Sequence, residues 1–279
     1  MRLVKTLLLA LSFARVQQCF AQGDLGISNL TYVDTSGSAS SLIPFGRDIN
    51  FVVLWVAQGF QTGTNSGGYL VNTVTIPFYH AFGFPTNFSL SVFSATSNSG
   101  PDISLGILSG NSNPNQTSNY TFTATGLFLK PNTPYYLVAE ATGTVNYEND
   151  QFLWYRANTK TSDSTDGWGI GTNSQWYSQY GGSWHLSSTA SYPPAAFQIT
   201  AQAVPAPSIR LNISLLNASH SSLSWSSTTN FAYQVQISSD LSFSNWNDLG
   251  SPISSNKTNY SVTNLLNTPM QFYRVHTVP

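Results

Sequence analysis

Charge is what this chain has least of. Of its 279 residues, ten are Lys or Arg and eleven are Asp or Glu, 8% in all, about a third of the usual share in soluble proteins. The formal net charge is −1, and nothing basic is clustered. That excludes the phosphate-neutralising surface that nucleic acid or anionic lipid requires. Cysteine is almost missing as well, with Cys19 alone. Long apolar runs are absent: Leu7 to Phe13 is too short to cross a bilayer, which takes about 20 residues, and no later run is longer.

That short run has the form of a secretory signal peptide over 1–21. Arg2 and Lys5 make its positive start, and Cys19-Phe20-Ala21 offers a small-x-small cleavage site, with Ala21 the last residue removed. Lipid attachment at Cys19 is the alternative, but Gln18 stands where a small residue normally precedes such a cysteine. Loss of Arg2, Lys5 and Arg15 leaves seven basic against eleven acidic side chains, a net charge of −4. The remainder holds no cysteine, which excludes disulfides, thiol catalysis and Cys-based metal sites.

Catalytic signatures are missing too. His80, His185, His220 and His276 show neither HExxH nor HxH spacing. No G-x-S-x-G elbow occurs. Glycoside hydrolysis needs two opposed carboxyl groups, and the candidates are Glu140, Glu148, Asp150, Asp163 and Asp166. A carbohydrate-active enzyme pairing Glu140 with Glu148 or Asp150 is therefore the alternative to a non-catalytic protein, which is the expectation.

What the chain does hold is 41% hydrophobic and 14% aromatic residues set among Ser, Thr, Asn and Gly. No stretch repeats at 3.6 residues. Short β-branched and aromatic runs bounded by Gly, Pro and Asn predict strands over 49–58, 69–78, 88–93, 120–124, 134–141, 151–156 and 196–203. Within 69–78, alternation puts Leu70, Val74, Ile76 and Phe78 on one face, which Asn72 interrupts, and Tyr69, Val71, Thr73 and Thr75 on the other. Residues 94–101 read as a loop. Trp55, Trp154 and Trp225 lie inside strand patterns and read as core. An Ala/Pro segment over 203–208 predicts a linker. Beyond it, strands are expected over 209–215, 222–226, 232–238, 259–263 and 270–276, with Leu223, Trp225, Tyr233, Val235 and Ile237 inward.

Two loops carry binding candidates. Trp168, Trp176 and Trp184 fall eight residues apart, with Tyr177 and Tyr180 nearby and glycines between. Such a loop can present flat apolar faces to sugar rings, although Gly167 and Gly169 beside Trp168 point to close packing at that residue. Asn146, Glu148 and Asp150 place oxygen ligands at alternate positions, suited to calcium, the bland reading being a solvated acidic loop. No other cofactor is expected.

Residues 30–205 resemble the choice-of-anchor R domains of secreted bacterial proteins. The resemblance rests on Trp55-x-Ala-Gln-Gly-Phe60-x-Thr-Gly63, then Gly68-Tyr69-Leu70-x-x-x-Val74-Thr75-Ile76 and Leu90-x-Val92-Phe93 before Gly100-Pro101. It continues with the NTPYYLV run at 132–138 and the Gly- and Trp-rich 167–184 segment. Val-Pro-x-Pro-Ser at 204–208 is similar to the signature preceding a PEP-CTERM sorting tail, with Ala206 where that signature has Glu. Residues 209–279 resemble a fibronectin type III module through Leu223-x-Trp225, Tyr233-x-Val235-x-Ile237 and Phe272-Tyr273-Arg274-Val275. The expected fold is all-β: a jelly-roll-like β-sandwich over 24–202, then a small Ig/fibronectin III-like sandwich over 209–279. The resemblance implies a bacterial protein, secreted or at the cell surface. Its expected role is adhesive or carbohydrate-binding, with extracellular polysaccharide or surface proteins as partners. A structural spacer is the third reading.

Overall fold

A computed structural model describes residues 25–36, 38, 41–47, 53–83, 85–96, 100–143, 150–159, 161–179, 183–186, 193–228, 231–239, 245–254, 258–266 and 271–278. Residues 25, 47, 53, 96, 142–143 and 171–179 are described in backbone only. The signal segment with its cleavage residue Ala21, and the calcium candidates Asn146 and Glu148, lie outside the described residues. The chain divides into two compact units, Ala21–Pro205 and the unit beginning at Ala206. Among the described residues there is no α-helix, and every named strand pairing is antiparallel, giving an all-β sandwich fold.

The first unit runs β1 (Leu25–Ser28), β2 (Leu42–Arg47), β3 (Val53–Gln61), β4 (Tyr69–Phe78), β5 (Thr86–Thr96), β6 (Gly100–Ile107) and β7 (Ser118–Thr123). It continues with β8 (Phe128–Leu129), β9 (Pro134–Gly143), β10 (Asp150–Tyr155), β11 (Asp163–Ser164), β12 (Gly169–Gln179), β13 (Trp184–Leu186) and β14 (Gln198–Ala203). One layer is ordered β11-β1-β14-β4, with β7 and β8 along β4; the other is β10-β2-β3-β9-β5-β6, with β12 and β13 continuing from β3. The two ladders touch at one corner, where Trp154 pairs with Phe78. Between them lies the main core, with Phe45, Phe60, Val74, Phe78, Phe88, Leu90, Leu137, Phe152, Trp154 and Phe197 almost wholly buried.

Asn72 marks a β-bulge. Thr73 pairs with Thr200 and Val71 with Ala201, so Asn72 is the extra residue opposite β14. A bulge reverses alternation, because the side-chain period of a strand is two. Tyr69 and Val71 therefore join Val74, Ile76 and Phe78 in the core, and Leu70 is turned out. This corrects the expectation that Leu70 shares the face of Val74, Ile76 and Phe78 and that Tyr69 and Val71 lie on the other. The expected loop over 94–101 is also revised, since β5 extends through Thr96 and β6 begins at Gly100.

Buried polar side chains fasten the segment before β14. Asn29 donates to the Ala195 carbonyl and accepts from Phe197 N–H. Gln58 Oε1 accepts from Ala195 N–H at 2.7 Å. Trp154 Nε1 donates to the Ala196 carbonyl at 2.7 Å. These bonds satisfy backbone groups for which the segment has no full strand ladder.

The second unit holds β15 (Leu211–Asn217), β16 (His220–Ser226), β17 (Ala232–Ser238), β18 (Asn247–Asp248), β19 (Ile253–Ser254), β20 (Asn259–Leu265) and β21 (Phe272–Val278). One sheet is β15-β16-β20; in the other, β17 pairs with β18, β19 and β21. Leu223, Trp225, Phe231, Tyr233 and Val235 are its buried apolar residues, whereas Ile237 is only half-buried. Trp225 stacks on Tyr260 with centroids 6.1 Å apart.

Candidate functional site

The strands β3, β9 and β5 have two covered faces. Val56 and Phe60, Leu137 and Ala139, and Leu90 and Val92 point into the main core. The residues between them point the other way. There Ala57, Tyr136 and Val138 form a second buried cluster, with Phe93, Ala95 and Trp184 packed against it. The cause is the β12–β13 hairpin. β12 pairs along β3, β13 pairs along β12, and β13 comes back close to β6 at the far end of the layer. The strand order β13-β12-β3-β9-β5-β6 thus curls around this outer face.

Ladder register sorts the outer face into cross-strand rows. Phe93 stands opposite Tyr136 and Ser91 opposite Val138, and Ser89 stands opposite Glu140. On the other side of β9, Ala57 pairs with Val138 and Gly59 with Tyr136. That ladder ends at Val56 and Ala139, and β2 takes the same edge of β3 from Leu54, so Trp55 and Glu140 lie on the outer face just past the end of the ladder. β12 adds Ser178 opposite Trp55 and Trp176 opposite Ala57. One end of the face is therefore aromatic, its middle is small and apolar, and its other end carries Trp55, Glu140 and Ser89.

Glu140 is half-buried with neither hydrogen bond nor ion pair among the described residues, and burial holds its carboxyl above the ordinary carboxylate range. Trp55 is half-buried and its indole Nε1 is buried with no acceptor among the described residues. A buried donor left without a partner costs about 1–3 kcal/mol, so such groups point to a water or a ligand that completes them. An acceptor and a donor without partners among the described residues thus lie on one face.

The candidates named from the sequence divide here. Trp168 is 3% exposed; it stacks on Phe60 with an interplanar angle of 7° and meets Tyr69 edge-on at 4.8 Å. It is a core residue and presents no face to a ligand. Trp184 is half-buried against the second cluster, its polypeptide neighbours on β13 being exposed. The side chains of Trp176 and Tyr177, and all of Tyr180, lie outside those described. The expected aromatic loop is in fact a hairpin, since Gly169–Gln179 is a strand and Trp184–Leu186 its partner. Trp55, expected in the core, belongs to the outer face.

The described carboxylate candidates lie on different elements, Glu140 on β9, Asp150 on β10 and Asp163 on β11, and Glu148 lies outside the described residues. Asp150 is fully buried at the start of β10, opposite Arg47, and is not without partners. Asp163 accepts from the hydroxyls of Thr31 and Tyr32. Among the described residues no group of three His, Cys, Asp or Glu side chains could hold a metal ion. No helix among them is long and apolar enough to cross a membrane. Sequence reasoning placed Glu140 on an apolar strand but missed Ser89 opposite it and Trp55 on the same face. No protein-family model, no curated protein and no solved structure matches the chain.

Proposed function

We propose that this is an exported, non-catalytic adhesive protein that binds neutral extracellular polysaccharide on the outer face of β3, β9 and β5. The observation that carries the reading is an outer face that holds the carboxylate of Glu140 and the indole N–H of Trp55, neither with a partner among the described residues, past the end of an apolar strip bordered by Tyr136, Phe93 and Trp184. A sugar offers hydroxyls that both donate and accept, and C–H faces that lie against aromatic rings. Among the described residues on this face none is basic, which suits an uncharged chain. The signal-peptide form of 1–21, with Ala21 at the cleavage site, supports export. The likeness of 30–205 to choice-of-anchor R domains and of 209–279 to fibronectin type III modules fits a surface or matrix role, without calcium or another cofactor.

One observation favours a second reading. A carboxyl whose pKa is raised above the ordinary range is what a general acid needs, and burial raises that of Glu140. The same experiment separates the two. The protein is incubated with insoluble cellulose, xylan and chitin, and both retention and release of reducing ends are measured for the wild type, Glu140→Gln and Trp184→Ala. Retention by at least one polymer, weakened in both variants and with no sugar released, is expected. Release that disappears in Glu140→Gln would establish the enzyme, and retention unchanged in both variants would overturn the site.

A further inference from the structure

In the second unit, β17 alternates between its core residues Tyr233 and Val235 and outward residues that include Gln236. Register puts Gln236 opposite Asp248 of β18 on one side and Arg274 of β21 on the other. The three side chains form one continuous row. Gln236 Nε2 donates to Asp248 Oδ1 at 2.7 Å, and Arg274 Nε donates to Gln236 Oε1 at 2.7 Å. The guanidinium carbon of Arg274 lies 4.5 Å from the ring centroid of Trp246.

These contacts use the Nε edge and one face of the guanidinium. Among the described residues the fork of Nη1 and Nη2 makes no hydrogen bond and no ion pair, and Arg274 is exposed. An exposed arginine ordinarily pays its side-chain entropy on binding. Here the amide clamp and the indole hold the planar fork in place beforehand. Phe272 and His276 flank Arg274 on the same face of β21, each half-buried. In a chain with ten Lys and Arg residues altogether, this is a costly use of one.

We infer that Arg274 is a ligand-binding residue whose held fork takes the carboxylate of an acidic polysaccharide, a polyuronate. Two parallel N–H···O bonds match a carboxylate in spacing and plane. Gln236 and Trp246 are its positioning residues, and Asp248 fixes the amide of Gln236 so that its oxygen faces Arg274. The site uses none of the residues of the first unit's outer face.

The test is affinity electrophoresis of the whole protein through gels containing polygalacturonate, dextran sulfate or neutral dextran, at low and physiological salt. The wild type should be retarded by polygalacturonate, less so as salt rises, and not by dextran. Arg274→Lys keeps the charge but loses the fork and should weaken the retardation about tenfold; Gln236→Leu should weaken it less, and Lys130→Gln, which removes an exposed basic residue of the first unit, should leave it unchanged. Near-UV circular dichroism checks that each variant is folded. Equal retardation of Arg274→Lys and wild type would overturn the fork. Absence of retardation by polygalacturonate, or stronger retardation by dextran sulfate, would overturn the carboxylate as its ligand.

Discussion

Glu140 sits on a strand whose neighbouring positions are apolar, and burial alone raises its pKa. A carboxyl that the folded chain prefers to keep protonated contributes stability below its ordinary value of 4.5 and loses it as pH rises through the raised folded value. Glu140→Gln should therefore melt higher than the wild type at pH 7 and no higher at pH 3.5, as read by thermal melts at both. A higher melting point for the wild type at pH 7 would mean that the carboxylate has a stabilising partner. At this scale the sequence was only partly readable. Glu140 stood out as a charge in an apolar run, but Trp55 read as core. A near-continuous apolar run is what a strand covered on both faces produces, and such a run does not say which of two cores a given residue enters.

Strands show where local pattern sufficed. The ranges 69–78 and 232–238 match β4 and β17 from end to end, because β-branched and aromatic residues there agree with the pairing. β12 was hidden, as glycine and serine are poor strand formers and only its long ladder with β3 makes Gly169–Gln179 a strand. The Asp166-Gly167 turn preceding it has φ of 50° and 79° with Trp168 N–H bonded to the Thr165 carbonyl, the conformation Asp-Gly favours. The bulge at Asn72 was visible as an interruption but not as a reversal. Deleting Asn72 should close the bulge and set Val71 directly before Thr73, in register with Ala201, so Tyr69 and Val71 should stay in the core and the cooperative urea transition should persist; its loss would show that the bulge itself is needed. Gln58→Leu should cost about 1–3 kcal/mol, since it leaves the buried Ala195 N–H without an acceptor. Hydrogen exchange at Ala195 would locate the loss there.

For the whole molecule, two units with separate cores follow from the contact pattern. The second has few fully buried apolar residues and no disulfide, and a domain of that size gains little from burial. Calorimetry should resolve two transitions, the lower one removed by Trp225→Ala and the upper one unaffected by it; a single transition abolished by that change would show one cooperative body. The rows that define the outer face join residues far apart in sequence. Ladder register brings them together, so residue types alone could not reveal the site. The most direct measurement is therefore a titration of indole-labelled protein with cellohexaose, xylohexaose and chitohexaose, followed by the Nε1–H resonances of its tryptophans. With at least one of these sugars the Trp55 and Trp184 signals should move while those of the buried Trp154, Trp168 and Trp225 stay. If no sugar moves Trp55 and Trp184, or if only Trp225 and Trp246 respond, the outer face of β3, β9 and β5 is not where this protein binds carbohydrate.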